Sequence, residues 1–156
     1  MSTGLLYKVA YDEGVRALSE QQAVIDSFRN RSGLLLSAAD ITTSFLGAQA
    51  LHGGDSNLFA WLALIAFVAG AAVSLAILWP YRWEFTADPH EIVTDLVELS
   101  PPAEIEDLYR DLSMYMHDSY LRNRDGLELL AFFFQLASGL LAFEIVLWII
   151  AIAATP

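Results

Sequence analysis

One uninterrupted apolar run constrains this chain more than any other feature. Residues 58–79, LFAWLALIAFVAGAAVSLAILW, contain no charged residue, and the run ends before Pro80. A helix rises about 1.5 Å per residue, so a helix of this length crosses the hydrocarbon core of a bilayer. Tyr81, Arg82 and Trp83 follow, and aromatic and basic side chains are typical of the headgroup layer. The sequence therefore predicts a membrane protein.

Composition narrows the class of protein further. The chain has 156 residues, of which 56% are hydrophobic, and this suits a single short unit with several spans. Its 19 acidic residues against 8 basic ones argue against a nucleic-acid partner. Because there is no cysteine, disulfides and thiolate metal sites are excluded. The first 32 residues mix polar and charged side chains, unlike a cleaved signal peptide, so we expect the first span to insert the chain.

Three segments are candidate spans. The second is 58–79, and the third is 129–153, which is interrupted only by Gln135 and Glu144. The first, 33–51, carries Asp40, and an Asp near the centre of a span costs about 3 kcal/mol on insertion. We therefore expect the first span to insert as a hairpin with the second. The predicted fold class is an all-α membrane protein with three transmembrane helices and cytosolic helices, assembled as a homo-oligomeric bundle.

Orientation follows from the basic residues. All eight fall in residues 1–32 and 80–128, and none falls in 52–57 or 154–156. Basic residues concentrate on the cytoplasmic side, so the N-terminus is expected inside and the C-terminus outside. The predicted segments, in chain order, are a cytosolic N-terminal helix at 1–32, span one at 33–51, an outer turn at 52–57, span two at 58–79, a cytosolic helical loop at 80–128, span three at 129–153 and an outer tail at 154–156.

Cytosolic helices are expected on both sides of the first hairpin. The N-terminal helix continues into the first span, with a bend expected at Gly33. In the loop, Asp88-Pro89 has the pattern of a helix N-cap and first turn, and Ser100-Pro101-Pro102 separates that helix from a second one. The second has an apolar rhythm that lapses at Ser119, and it is expected to run into the third span with a bend at Gly126. Its apolar positions are Ile105, Leu108, Leu112 and Tyr115.

A stripe of small and polar residues follows one side of the first span. Its members are spaced by four, three, four and three residues, which places them on one face of a helix. One interpretation is close packing against a neighbouring helix, which is the usual role of such residues in membranes. The other is that the stripe lines a water-filled path. The stripe consists of Gly33, Ser37, Asp40, Ser44 and Gly47.

Asp40 and Glu144 are the ionisable residues inside the predicted spans. Counted from the outer ends of their spans, they lie about 16 Å and about 14 Å deep, at 1.5 Å per residue. No basic residue lies in the spans, so each must be protonated, hydrogen-bonded, hydrated or paired with a cation. Two separately satisfied acids and a pair sharing one proton remain alternatives.

Other patterns have simpler interpretations. Ala66, Gly70 and Ser74 form a small-residue face on the second span, which favours helix packing. Glu104, Asp107 and Asp111 share a helix face, which is a solvated surface, a vestibule that concentrates cations or a surface for a basic partner. The sequence has no enzyme motif, no cofactor-binding motif and no metal-ligand spacing. We therefore expect no catalytic activity, no cofactor and no bound metal. The predicted headgroup anchors are Arg29, Arg31, Trp79, Arg82, Trp83, Arg122 and Arg124.

The order of these parts resembles a known family. Residues 38–48, AADITTSFLGA, and 112–145, LSMYMHDSYLRNRDGLELLAFFFQLASGLLAFEI, are similar to the membrane domain of Pycsar-type (PycTM) anti-phage effectors and, more loosely, of SLATT effectors. Asp40 fits the family's motif at the start of the first span, whereas Thr42 stands where that motif has Lys. The resemblance implies an oligomeric protein of the bacterial inner membrane that impairs the membrane when triggered.

Three functions are therefore weighed. The first is a pore-forming or membrane-perturbing effector with Asp40 near its axis. The second is a non-conducting scaffold or sensor that binds a cytosolic protein through its acidic helices. The third, ranked last for lack of inverted repeats, is a small carrier that uses Asp40 and Glu144. The expected partners are the lipid bilayer, further copies of the chain and a cytosolic protein.

Overall fold

The protein is all-helical. The computed structural model describes residues 3–50, 57–85, 90, 93–94 and 104–154, and no strand occurs among them. Three helices account for this part of the chain: α1 (Thr3–Ala50), α2 (Leu58–Leu78) and α3 (Ile105–Ala153). The all-α class is thereby confirmed.

The two long helices result from the absence of helix breakers. Neither α1 nor α3 contains a proline, so each predicted cytosolic helix continues into the apolar segment that follows it. Both helices pass through the expected bend positions, Gly33 and Gly126, without an interruption of the helix.

The ends of α2 follow its local sequence. Asn57 caps the N-terminus, since its side chain accepts a hydrogen bond of 3.0 Å from the amide of Ala60. The helix ends at Leu78, and Trp79 and Pro80 follow it. The rest of the predicted outer turn, the cap at Asp88-Pro89 and the break at 100–102 lie outside the described residues.

The chain divides into two compact units. Unit 1 contains residues 1–25 and 81–128, and unit 2 contains residues 26–80 and 129–156. Two of the divisions fall after Pro80 and after Glu128. The division on α1 falls between Ile25 and Asp26, earlier than the predicted boundary at residue 33. Both long helices therefore contribute to both units.

In unit 2, α1 runs parallel to α3 and α2 runs antiparallel to α3. Residue numbers rise together along the first pair, from Phe28 against Phe134, with ring centroids 5.6 Å apart, to Thr43 bonded to Glu144. They run oppositely for α2, because Asn57 Nδ2 donates to the carbonyl of Ala151 (2.9 Å), whereas Gly70 lies against Leu140 near the other end of the contact. The three helices of unit 2 therefore have an up-down-up topology.

The core of unit 2 is one tryptophan surrounded by small residues. Trp148 is completely buried. Alanines from all three helices let the backbones approach closely enough to enclose its ring. The cluster consists of Ala50, Ala60, Ala63, Ala66, Leu147, Trp148 and Ala151.

Burial along the long helices recurs every seven residues. This period is the one expected when two long helices pack side by side at a small crossing angle. On α1 the row is Leu18, Ile25, Ser32 and Ala39. On α3 it is Met116, Asn123, Leu130, Ala137, Glu144 and Ala151.

In unit 1, α1 and α3 also run parallel, and an extended segment, residues 81–85, packs on α3. The rings of Tyr11 and Tyr109 are 5.5 Å apart, and Gln21 Nε2 donates to the carbonyl of Tyr120 (3.0 Å). Asn123 holds the extended segment with two hydrogen bonds to the backbone of Glu84, accepting from its amide (3.2 Å) and donating to its carbonyl (2.8 Å). A carboxamide paired in this way replaces the backbone partners that an isolated extended segment lacks.

Two helices are long and apolar enough to cross a membrane. They are α2 and α3, which contain the predicted second and third spans. Residues 33–50 of α1, with Asp40 and several hydroxyl groups, are not identified in this way. The first span and the three-span count therefore stay predictions.

Candidate functional site

A buried carboxylate lies inside unit 2. Glu144 is only 1% exposed, and two donors reach the same oxygen, Oε1. One is the hydroxyl of Thr43 on α1, and the other is Nε1 of Trp148, at 3.2 Å. Because a carboxylate in a low-dielectric interior needs such donors, these two bonds explain how the side chain is tolerated there.

Helix geometry places all three residues. Glu144 and Trp148 are four residues apart on α3, so their side chains share a face. The parallel pairing of α1 with α3 brings Thr43 to the same level. Thr43 in turn follows Asp40 by three residues, which is about 4.5 Å along a helix axis.

A small cavity adjoins the carboxylate. It has a volume of about 10 Å³, enough for about one particle the size of a water molecule. Its polar lining residues are Glu144 and Ser74 of α2, and Ser74 is itself only 3% exposed. Ala39, Gly70 and Ala137 are among the small side chains that leave this space open.

The predicted stripe of α1 is split by the structure. Ser37, Asp40 and Ser44 are exposed on the surface of unit 2, and we call these three residues the exposed stripe. Gly47, by contrast, is buried, and a Cβ built on it would lie 3.2 Å from the ring of Trp148. No described atom would lie within 4 Å of a Cβ on Gly33, whose carbonyl accepts a hydrogen bond from Ser37 Oγ (3.0 Å).

A surface groove continues the exposed stripe along α1. Its volume is about 470 Å³, and its described lining residues are Ser44, Phe45, Ala48 and Gln49. The groove is thus lined by two polar residues, Ser44 and Gln49, and by the aromatic residue Phe45.

The two acids of the predicted spans occupy different environments. Asp40 is exposed, whereas Glu144 is enclosed, and no described hydrogen bond joins them. They interact through space, since the charge of Asp40 acts on Glu144. Of the two predicted arrangements, the structure of the single chain has the acids separately placed.

The small face of α2 packs inside unit 2. Ala66 and Ser74 are buried, and a Cβ on Gly70 would make ordinary contact, 3.5 Å, with Leu140. Gly70 and Ser74 also line the cavity beside Glu144.

The predicted anchors differ in their surroundings. Arg122 pairs with Glu84 (2.6 Å) and Arg124 with Glu128 (3.0 Å). The ring of Trp83 is partly buried and lies on Gly126, whose Cβ, if present, would be 2.8 Å from the ring. Exposed anchors without such contacts in the described part of the chain are Arg31, Trp79 and Arg82, and Arg29 is half-buried.

The acidic residues at the start of α3 face solvent. Glu104, Asp107 and Asp111 are all exposed. Among the described residues, no group of three or more His, Asp or Glu side chains has the arrangement of a metal site.

Sequence reasoning missed the two partners of Glu144. The four-residue spacing of Glu144 and Trp148 was a usable signal, because a ring nitrogen one turn away can reach a carboxylate. Thr43 gave no such signal, since its contact with Glu144 joins segments 101 residues apart.

Comparison with known proteins adds no relative: no family model, no curated protein and no solved structure matches the chain.

Proposed function

We propose that the chain is an oligomeric protein of the bacterial inner membrane, in which the exposed stripe of each copy lines a path for cations across the bilayer. Activity as a membrane-impairing effector, which the resemblance of residues 38–48 and 112–145 implies, is part of the same proposal. The N-terminus and the acidic loop face the cytosol.

The surface of unit 2 supports a membrane location. Large apolar side chains cover it, and they come from all three helices. Exposed apolar side chains in this number are unfavourable in water and favourable against lipid chains. The most exposed examples are Leu34, Phe45, Leu58, Ile65, Val68 and Phe132, each at least 57% exposed.

The observation that carries the proposal is the exposure of Asp40 in this surface. Facing lipid, a charged Asp near the middle of a span costs about 3 kcal/mol or more. Ser37 and Ser44 flank it on the same side and are also exposed. A second copy or water beside the stripe removes that cost. A ring of copies whose stripes face a common water-filled centre provides both.

Charge favours cations in such a path. Asp40 contributes one carboxylate per copy, and no Lys or Arg lies in residues 33–79 or 129–153. Rings of carboxylates select cations in channels. The exposed acids Glu104, Asp107 and Asp111 raise the local cation concentration on the cytosolic side.

Planar-bilayer recording tests the proposal. The full chain is purified in mild detergent, its mass is determined, and it is reconstituted beside the Asp40→Asn variant. We expect a discrete oligomer whose cation current falls several-fold in Asp40→Asn, with assembly unchanged. The matched control is Asp26→Asn, an exposed acid on the same helix but outside the predicted span, which should leave the current unaltered.

Single cysteines introduced along α1 report which positions water reaches. The method is clean because the natural chain has no cysteine. Ser44→Cys should react with a water-soluble methanethiosulfonate and thereby block current. Ile41→Cys is the comparison, because Ile41 is 61% exposed in the single chain but is an apolar residue outside the exposed stripe. A monomeric protein, or equal inertness of both cysteines in a discrete oligomer, would count against a wet stripe.

A non-conducting scaffold is the second candidate, and the solvated acidic face of α3 favours it. Opposite charge steers and orients a basic partner on such a face. The combined variant Glu104→Gln, Asp107→Asn, Asp111→Asn should then lose a co-purifying cytosolic protein while the oligomer persists. Loss of current without loss of any partner in that variant would favour the conducting path.

A further inference from the structure

The two hydrogen bonds of Glu144 do not neutralise a negative charge on its side chain. The carboxylate is 1% exposed, and both donors, Thr43 and Trp148, are neutral groups. Neutral donors lower the cost of burial but leave a full negative charge inside the protein.

Among the described residues, no basic side chain forms an ion pair with Glu144. α2 contributes no ionisable residue, since Leu58–Leu78 is uncharged, and Glu144 is the one charged residue of α3 after Glu128. On α1, the charged group that acts on Glu144 is Asp40, which has the same sign and adds repulsion.

Space for a balancing particle lies in a cavity that Glu144 lines. The cavity between the three helices has room for about one water-sized particle, and Ser74 supplies a second buried oxygen. Both described donors bind Oε1, so Oε2 is not used by either of them.

We propose that Glu144, Ser74 and this cavity form a binding site for one monovalent cation, which is either a proton on the carboxyl group or a single alkali ion beside it. The site neutralises Glu144 in each copy. The inference rests on burial within unit 2 and does not depend on whether the protein conducts.

The position of Glu144 in the helix supports a specific site. It occupies the seven-residue row of buried positions on α3, where its neighbours in the row are Ala137 and Ala151. Of these two neighbours, Ala137 lines the cavity together with Glu144.

Infrared spectroscopy of the full chain in detergent distinguishes the two cations. In choline chloride at neutral pH, a bound proton gives the C=O stretch of a protonated carboxyl group, which shifts in D2O. That band should be lost in Glu144→Gln and retained in Asp40→Asn. A bound alkali ion gives no such band in choline chloride, and instead shifts the carboxylate bands when Na⁺ or K⁺ is added, again with no shift in Glu144→Gln.

A second variant covers the case in which Glu144→Gln does not fold. Thr43→Val removes one donor and keeps the number of carboxyl groups, so it should displace the frequency of the Glu144 band, whichever form is present. The proposal is overturned if the wild-type protein shows no protonated carboxyl band and no response to Na⁺ or K⁺. It is equally overturned if the bands that respond are unchanged in both Glu144→Gln and Thr43→Val.

Discussion

At the scale of single residues, Asp40 and Glu144 carry the same carboxyl group in opposite surroundings. Asp40 lies on the surface of unit 2 and depends on whatever covers that surface. Glu144 depends on Thr43, Trp148 and the small cavity. In the function proposed above, Asp40 acts between copies and Glu144 acts within one copy.

Trp148 links the carboxylate to the core, and its removal should be costly. The Trp148→Ala variant loses a completely buried ring and one donor to Glu144, so we expect the free energy of unfolding to fall by about 3 kcal/mol or more. Trp79→Ala, in which the lost side chain is 67% exposed, should change it by less than about 1 kcal/mol. Unfolding in detergent, followed by circular dichroism, measures both, and equal losses would show that Trp148 is not a core residue.

At the scale of elements, the extended segment 81–85 and α3 are fitted to each other. Asn123 binds the backbone of Glu84, Arg122 pairs with its side chain, and the ring of Trp83 lies on Gly126. Gly126 thus provides a flat surface for an aromatic ring.

Two glycine substitutions should have opposite effects. A Cβ on Gly126 would lie 2.8 Å from the Trp83 ring, so Gly126→Ala should destabilise the protein by about 1–3 kcal/mol. Gly33 meets no described atom within 4 Å, so Gly33→Ala should stabilise α1 by roughly 0.5–1 kcal/mol through backbone entropy. Melting temperatures measure both variants. A stabilised Gly126→Ala would refute the ring contact, and a destabilised Gly33→Ala would place Gly33 at a contact between copies.

At the scale of the whole molecule, the parallel pairing of α1 and α3 requires a return through α2. Parallel helices cannot be joined by a tight turn, and α2 with the loop after it supplies the connection. If all three helices cross the bilayer, residues 1–32 and 80–128 share one side, as the distribution of basic residues predicts.

Single cysteines determine that topology in cells. Ser19→Cys and Asp111→Cys should react with a membrane-impermeant maleimide only after the inner membrane is opened. His52→Cys should react from the outside in intact spheroplasts, because it lies in the predicted outer turn. Labelling of Ser19→Cys and His52→Cys from the same side would remove the first span and leave α2 and α3 as the crossing helices.

Local signals predicted much of the architecture. The uncharged run before Pro80 and the lack of proline elsewhere in the helices are enough to place α2 and the long α1 and α3. Burial in unit 1 was harder to predict, because polar residues occupy inner positions. Ser119, where the apolar rhythm lapses, is completely buried, whereas Ile105, which begins that rhythm, is 67% exposed. The cavity beside Glu144 depends on three helices meeting, which no local pattern encodes.

The hydrogen bond from Thr43 to Glu144 also has a consequence for biogenesis. The bond joins residues 101 positions apart, so α1 and α2 leave the ribosome well before α3 is complete. If the chain inserts in sequence order, Glu144 enters the bilayer with Trp148 of the same helix but before it meets Thr43 and Ser74, which lie on the helices made earlier. Mutations at Thr43 should consequently lower the yield of inserted protein during synthesis, even where the finished protein tolerates them.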